Sequence, residues 1–212
     1  CSALRLLCVH ESIADGVIEM IQGAAAELRV GDTADLATDL GRVIDSEACQ
    51  NIEKHLKRLN SEAKPLLAGV FVANNATNNI ANMVSPSAFE LASISDIGAE
   101  IFGPVLHVVR WRGDPADVIS QINALGYGLT LGIQTRIDSR AQALARAAHV
   151  GNVYVNRNQI GAVVGVQPFG GEGLSGTGPK AGGPHYLYRF CAEQTLTVNT
   201  TAAGGNAALL AG

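Results

Sequence analysis

Residues 105–134 read VLHVVRWRGDPADVISQINALGYGLTLGIQ, and their order of patterns decides the fold class. Val105 to Trp111 is a short β-branched run between turn residues, which predicts a buried strand. Asp114 and Pro115 follow. Proline has no backbone N–H to donate, so it suits the first helical position, where that donor would be unpaired anyway. Val118, Ile119, Ile122 and Leu125 then recur at the spacing of a single helical face. A second strand is expected at Leu129 to Gln134, so strand, helix and strand succeed one another within thirty residues.

The alternation continues outward. Ser139 opens an alanine-rich helix containing Leu144 and Ala148, and a strand is expected at Asn152 to Asn156. Towards the N-terminus, Ala3 to Val9 is an apolar, strand-like run. Ser12 with Asp15 three positions on predicts a capped helix carrying Ile13, Val17, Ile21 and Ala24 on one side. A loop rich in glycine and aspartate, residues 31–41, leads to Asp45 and Ser46. Another helix is then expected with Ala48, Ile52, Leu56 and Leu59 on its apolar face. Gly69 to Ala73 reads as a further buried strand. The fold class expected is α/β, a mostly parallel sheet flanked by helices.

After Val155 the pattern changes. Gln159 to Pro184 has neither the helical nor the alternating period and should be a long ordered loop, the kind of segment that carries function. Leu196 to Thr201 is expected to be a last strand, and the Gly/Ala stretch from Ala202 resembles a linker. The division expected is a main unit at 1–190, a terminal strand segment at 191–201 and a tail at 202–212.

Composition narrows the function classes. Hydrophobic residues are 47% and charged residues 16% of 212. About 25% charged is ordinary, so part of the surface should be covered by a partner. No uninterrupted apolar run approaches the roughly 18 residues of a membrane span. The net charge of −4 without a basic stripe argues against nucleic acid as partner. Four cysteines without CxxC spacing point to reduced thiols and a cytoplasmic protein.

Three motifs lose to plainer readings. Gly171 to Gly176 matches GxGxxG, but Gly178, Pro179, Gly182, Gly183 and Pro184 leave no room for the helix a dinucleotide phosphate needs. Ser175 lacks the GxSxG context of a nucleophile elbow. The five histidines show no metal-ligand spacing, so no metal is expected. Cys1-Ser2 leaves three readings open: a small buried hydrophobe, a lipidated cysteine on a non-enzymatic lipoprotein or interaction module, and a catalytic thiol.

A resemblance bears on the choice. Cys1-Ser2-Ala3-Leu4-Arg5 resembles the segment at the nucleophile cysteine of the proline utilisation A family, whose last enzymatic domain is an aldehyde dehydrogenase. Glu100-Ile101-Phe102-Gly103-Pro104-Val105 resembles a motif of aldehyde dehydrogenases generally. Residues 156–171, NRNQIGAVVGVQPFGG, are similar to the aldehyde-anchor loop of the glutamate-semialdehyde (pyrroline-5-carboxylate) subclass. Gly182 to Leu187 continues the likeness.

The resemblance implies that 1–190 is an aldehyde dehydrogenase catalytic subdomain and that Cys1 is its nucleophile. It gives Glu100 and Phe102 to the nicotinamide cofactor, NAD. It gives Ser2, Gly161 and Ala162 to a substrate α-carboxylate and Phe169 to the aldehyde channel. A hydroxyl and two backbone N–H groups can cradle an anion without a competing full charge. The implied activity is NAD-dependent oxidation of L-glutamate γ-semialdehyde to L-glutamate in proline catabolism, with an aldehyde dehydrogenase of another substrate class as the alternative. FAD would enter only with a proline dehydrogenase segment upstream. The family's general-base glutamate, oxyanion-hole asparagine and cofactor domain precede the nucleophile, so the isolated chain is expected to be inactive. The family also implies a homo-oligomer paired through the C-terminal strand.

Overall fold

The computed structural model describes residues 1–67, 81–199 and 202. Its central layer is a four-stranded sheet built from β1 (Leu6–His10), β2 (Lys64–Leu67), β3 (Ser87–Leu91) and β4 (Val105–Trp111). Their spatial order is β1-β4-β3-β2. β4 pairs in parallel with β1 and with β3, placing Leu6 beside His107 and Phe89 beside His107 on the two sides. β2 joins antiparallel at the edge. The sheet is therefore mixed at one edge and otherwise parallel, in line with the mostly parallel sheet expected.

Side chains of a strand alternate between faces, so β4 serves two layers. Val108 turns to one side, where it meets Val9 and the helix α1 (Glu11–Ala26) through Ala14 and Ile18. Val105 and Val109 turn to the other, against α2 (Ser46–Glu62) through Ile52 and Leu59, and against Ile94 and Ile97 of a single 3₁₀ turn. Ile52 and Leu59 are at most 1% exposed, and complete burial of such a side chain contributes about 1.5–3 kcal/mol.

The helices start where their caps are. Asp45 accepts from the Ala48 N–H at 2.8 Å and Asp114 from the Ala116 N–H at 2.9 Å, with Pro115 opening α3 (Pro115–Ala124). α1 departs from expectation. Its cap is His10, whose Nδ1 accepts from the Ser12 N–H at 3.3 Å, so Ser12 lies inside the first turn and does not cap it.

Beyond α3, the strands β5 (Tyr127–Gly128) and β6 (Thr130–Ile133), the helix α4 (Asp138–Ala147) and β7 (Asn152–Val155) follow. β6 and β7 pair in parallel, with Gly132 opposite Tyr154, and α3 and α4 pack together through Ile119 and Leu144. β5 pairs antiparallel with β8 (Glu172–Gly173). No helix follows Gly176 until the 3₁₀ turn Tyr186–Phe190. The strand expected at Gly69 to Ala73 lies outside the described residues. Residues 196–199 carry no strand pairing, and 200–201 are outside the described set.

Candidate active site

A cleft of about 490 Å³ opens where the chain enters β1. Cys1, Arg5, Cys8, Glu100, Tyr127, Gly132 and Gln159 are among its lining residues. Cys1 is exposed and carries a free thiol. Ser2, only 7% exposed and not on the cleft wall, accepts the Gly161 N–H on its Oγ at 2.9 Å. That bond spans 159 positions of sequence and joins the segment before β1 to the turn after β7.

The turn is held from several sides. Asn158 Oδ1 accepts the Ile160 N–H at 2.8 Å, and Gln167 Oε1 accepts the Val163 N–H at 3.0 Å. The Tyr154 hydroxyl donates to the Gly161 carbonyl at 2.9 Å. Gly161 has φ +72°, a left-handed conformation that glycine adopts without a steric penalty. Ala162 follows it, half-buried.

Arg5 ties the cleft's other wall together. Its Nη2 donates to the carbonyls of Ala99 at 2.8 Å and Gly98 at 3.1 Å, and its guanidinium lies over the Tyr127 ring at 5.2 Å. Burial lowers its pKa, opposed by the nearby Glu100 and Tyr127. The residue four positions after the candidate nucleophile thus fixes the peptide that leads into Glu100. Behind it, the Arg5 carbonyl accepts from the His107 backbone N–H at 3.1 Å and lies 3.0 Å from His107 Nδ1. A carbonyl only accepts, so Nδ1 carries the proton and Nε2 of His107 is the acceptor for His55 Nε2–H at 2.8 Å.

The expected site residues fall into two groups. Cys1 and Glu100 share the cleft, and Ser2 contacts Gly161 beside it. Phe102, 69% exposed, and Phe169 are not on the cleft wall. Phe169 exchanges both backbone hydrogen bonds with Ala181 at 3.0 and 2.9 Å, in a turn held by the buried Asn152. Arg5, Tyr127, Tyr154 and Gln159 were not anticipated as site residues. Arg5 left one signal, a charge inside an otherwise apolar strand-like run.

The loop carrying Glu100 and Phe102 lies close against α2 because Gly103 has no side chain. A Cβ there would overlap the Ile52 side chain, which is buried and has nowhere to move. Gly103→Ala is expected to cost about 1–3 kcal/mol through overpacking, measured as a lower denaturation midpoint.

The profile described as "Aldehyde dehydrogenase family" matches residues 1–196. The chain belongs to the aldehyde dehydrogenase family. Within this family it is 53% identical over 197 residues to the bifunctional protein PutA of Escherichia coli K12, covering 92% of the chain but 15% of that protein. It is 35% identical to the 1-pyrroline-5-carboxylate dehydrogenase of Bacillus subtilis, covering 93% of the chain and 38% of that enzyme. Among solved structures, Bradyrhizobium japonicum proline utilization A superposes with a TM-score of 0.85 at 54% identity, covering 95% of this chain and 20% of that one. The Thermus 1-pyrroline-5-carboxylate dehydrogenase with bound NAD gives 0.79 at 35%, covering 90% and 36%. This aldehyde dehydrogenase chain thus spans well under half of each of these relatives. Among its described residues no helix is long and apolar enough to cross a membrane, and no group of three or more His, Cys, Asp or Glu could hold a metal.

Proposed function

We propose that this chain is the nucleophile-bearing segment of an NAD-dependent dehydrogenase that oxidises L-glutamate γ-semialdehyde to L-glutamate in proline catabolism. The observation that carries the reading is the Ser2–Gly161 bond, a polar pair directly beside Cys1, which lines the cleft. Family membership alone supports aldehyde oxidation; the polar pair supports a substrate that also bears a carboxylate. Relatives named for 1-pyrroline-5-carboxylate agree with that substrate class.

Cys1, as thiolate, adds to the aldehyde carbon and forms a thiohemiacetal on its own sulfur. Bound NAD supplies the hydride acceptor. Water then cleaves the resulting thioester, releasing the acid and restoring the thiol. Ser2 holds the far end of the substrate. Its oxygen already accepts from Gly161, which leaves its hydroxyl proton free to donate to the α-carboxylate and polarises it for that role. The N–H of Ala162 completes the cradle. Glu100 on the cleft wall suits ribose hydroxyls as an acceptor, and the exposed Phe102 ring offers a flat apolar surface to a nicotinamide. These features fit the cofactor.

The whole enzyme needs a cofactor-binding segment joined to this one, and the exposed Leu196 and Val198 support pairing with a second copy. We also assign it to the cytoplasm, in keeping with its free thiols. Ser2→Ala in the full gene product tests the substrate assignment. Loss of one hydrogen bond to a charged group should lower kcat/KM for the semialdehyde, relative to a carboxylate-free aldehyde such as propanal, by about 10-fold or more. An unchanged ratio would point to another aldehyde class.

A further inference from the structure

The peptide joining Gly161 to Ala162 is gripped from β7. Tyr154, 6% exposed, sends its hydroxyl to the Gly161 carbonyl at 2.9 Å, and its ring is held by the Arg157 guanidinium at 4.6 Å. On the preceding peptide, the Gly161 N–H is held by Ser2. A trans peptide is planar, so its C=O and N–H point in opposite directions. Fixing the Gly161 oxygen on the Tyr154 phenol therefore aims the Ala162 N–H away from β7. Ser2, Asn158 and Gln167 hold the flanking N–H groups, and Tyr154 is the side chain that holds this carbonyl, beside a Gly161 at φ +72° with no side chain of its own to restrict rotation.

We propose that Tyr154 is the positioning residue for carboxylate selectivity: by holding the Gly161 carbonyl it keeps the Ala162 N–H turned towards the substrate's charged end. The inference rests on the reading of the Ser2 hydroxyl and the Ala162 N–H as a carboxylate cradle, with the Gly161 N–H fixing the Ser2 oxygen. Tyr154 touches no substrate in this scheme. It acts only through the peptide it orients.

Tyr154→Phe keeps the ring and its contact with Arg157 and removes only the hydroxyl. In the full gene product it should lower the semialdehyde-to-propanal ratio of kcat/KM about three- to ten-fold, with the loss in KM and little in kcat. Calorimetric Kd for L-glutamate should rise by a similar factor. Gly161→Ala, which disturbs the same peptide through its positive φ, should shift the ratio in the same direction. Equal losses on both aldehydes, or an unmoved ratio in Tyr154→Phe, overturn the proposal. Ser2→Ala run alongside separates the two levels. If it too leaves the ratio unmoved, the cradle reading itself fails; if it shifts the ratio while Tyr154→Phe does not, only the role of Tyr154 falls.

Discussion

Cys1→Ala in the full gene product should lower kcat/KM for aldehyde oxidation by about four orders of magnitude or more, the scale on which loss of a catalytic nucleophile acts. The cleft contains a second sulfur that could compete for the role, since Cys8 also lines it. Burial pushes the Cys8 thiol up to about 11, so at neutral pH it is protonated and a poor nucleophile. Cys49 stands beside Glu53, and its pKa is raised by desolvation and by that carboxylate. Cys191 is turned to the Leu187 carbonyl in the terminal 3₁₀ turn. Cys1 alone joins exposure to the cleft with the Ser2 contact beside it. Stoichiometric alkylation by iodoacetamide should track loss of activity and map to Cys1, and the aldehyde should protect against it. A Cys1→Ala enzyme with unchanged melting temperature and more than about a tenth of the original activity would remove the nucleophile from Cys1 and with it the mechanism.

How much of this was legible in the sequence depends on the range of the interaction. β4 and α3 are written locally: a β-branched run, then Asp114 and Pro115, then an apolar face, and the structure has each where the pattern places it. β2 was not legible, because Lys64-Pro65 looks like an interruption. Proline lacks only a donor, and at a sheet edge that donor is not needed, so the strand forms there. β3, five residues between Pro86 and a 3₁₀ turn, is too short to show a period. The expected cap at Ser12 missed for a related reason: any acceptor near the first N–H groups will serve, and His10 supplied one two positions earlier. At the site, Cys1, Glu100, Ser2 and Gly161 came from likeness to a family; periodicity contains nothing about a bond across 159 positions. Arg5 and Tyr154 act on backbone carbonyls, which every residue has, so no sequence pattern marks their partners.

Acid should open this site before it unfolds the rest of the chain. His55 and His107 are 8% and 1% exposed, and their Nε2 atoms, 2.8 Å apart, share a single proton. A further proton would put a cation into a low-dielectric space that Arg5 and Arg58 already face. Desolvation first, then His107 and the two arginines, pulls His55 from the ordinary 6.5 down to about 4, and His107 is lowered as well, chiefly by burial. The unfolded chain therefore binds a proton that the folded one refuses. Stability from this group is complete above 6.5 and is lost as pH falls towards 4. Its effect is local, because His107 holds the Arg5 carbonyl and Arg5 holds the peptide before Glu100. Hydrogen-exchange mass spectrometry on the full gene product, corrected for intrinsic rates, should show protection of residues 105–111 falling between pH 7 and 5. Replacing both histidines by leucine removes donor and acceptor together and should flatten that fall, whereas His55→Leu alone leaves His107 Nε2 buried without its donor and costs about 1–3 kcal/mol at every pH. Protection that stays level in the wild type, or falls equally in the double variant, would remove the histidine pair as the acid-sensitive element.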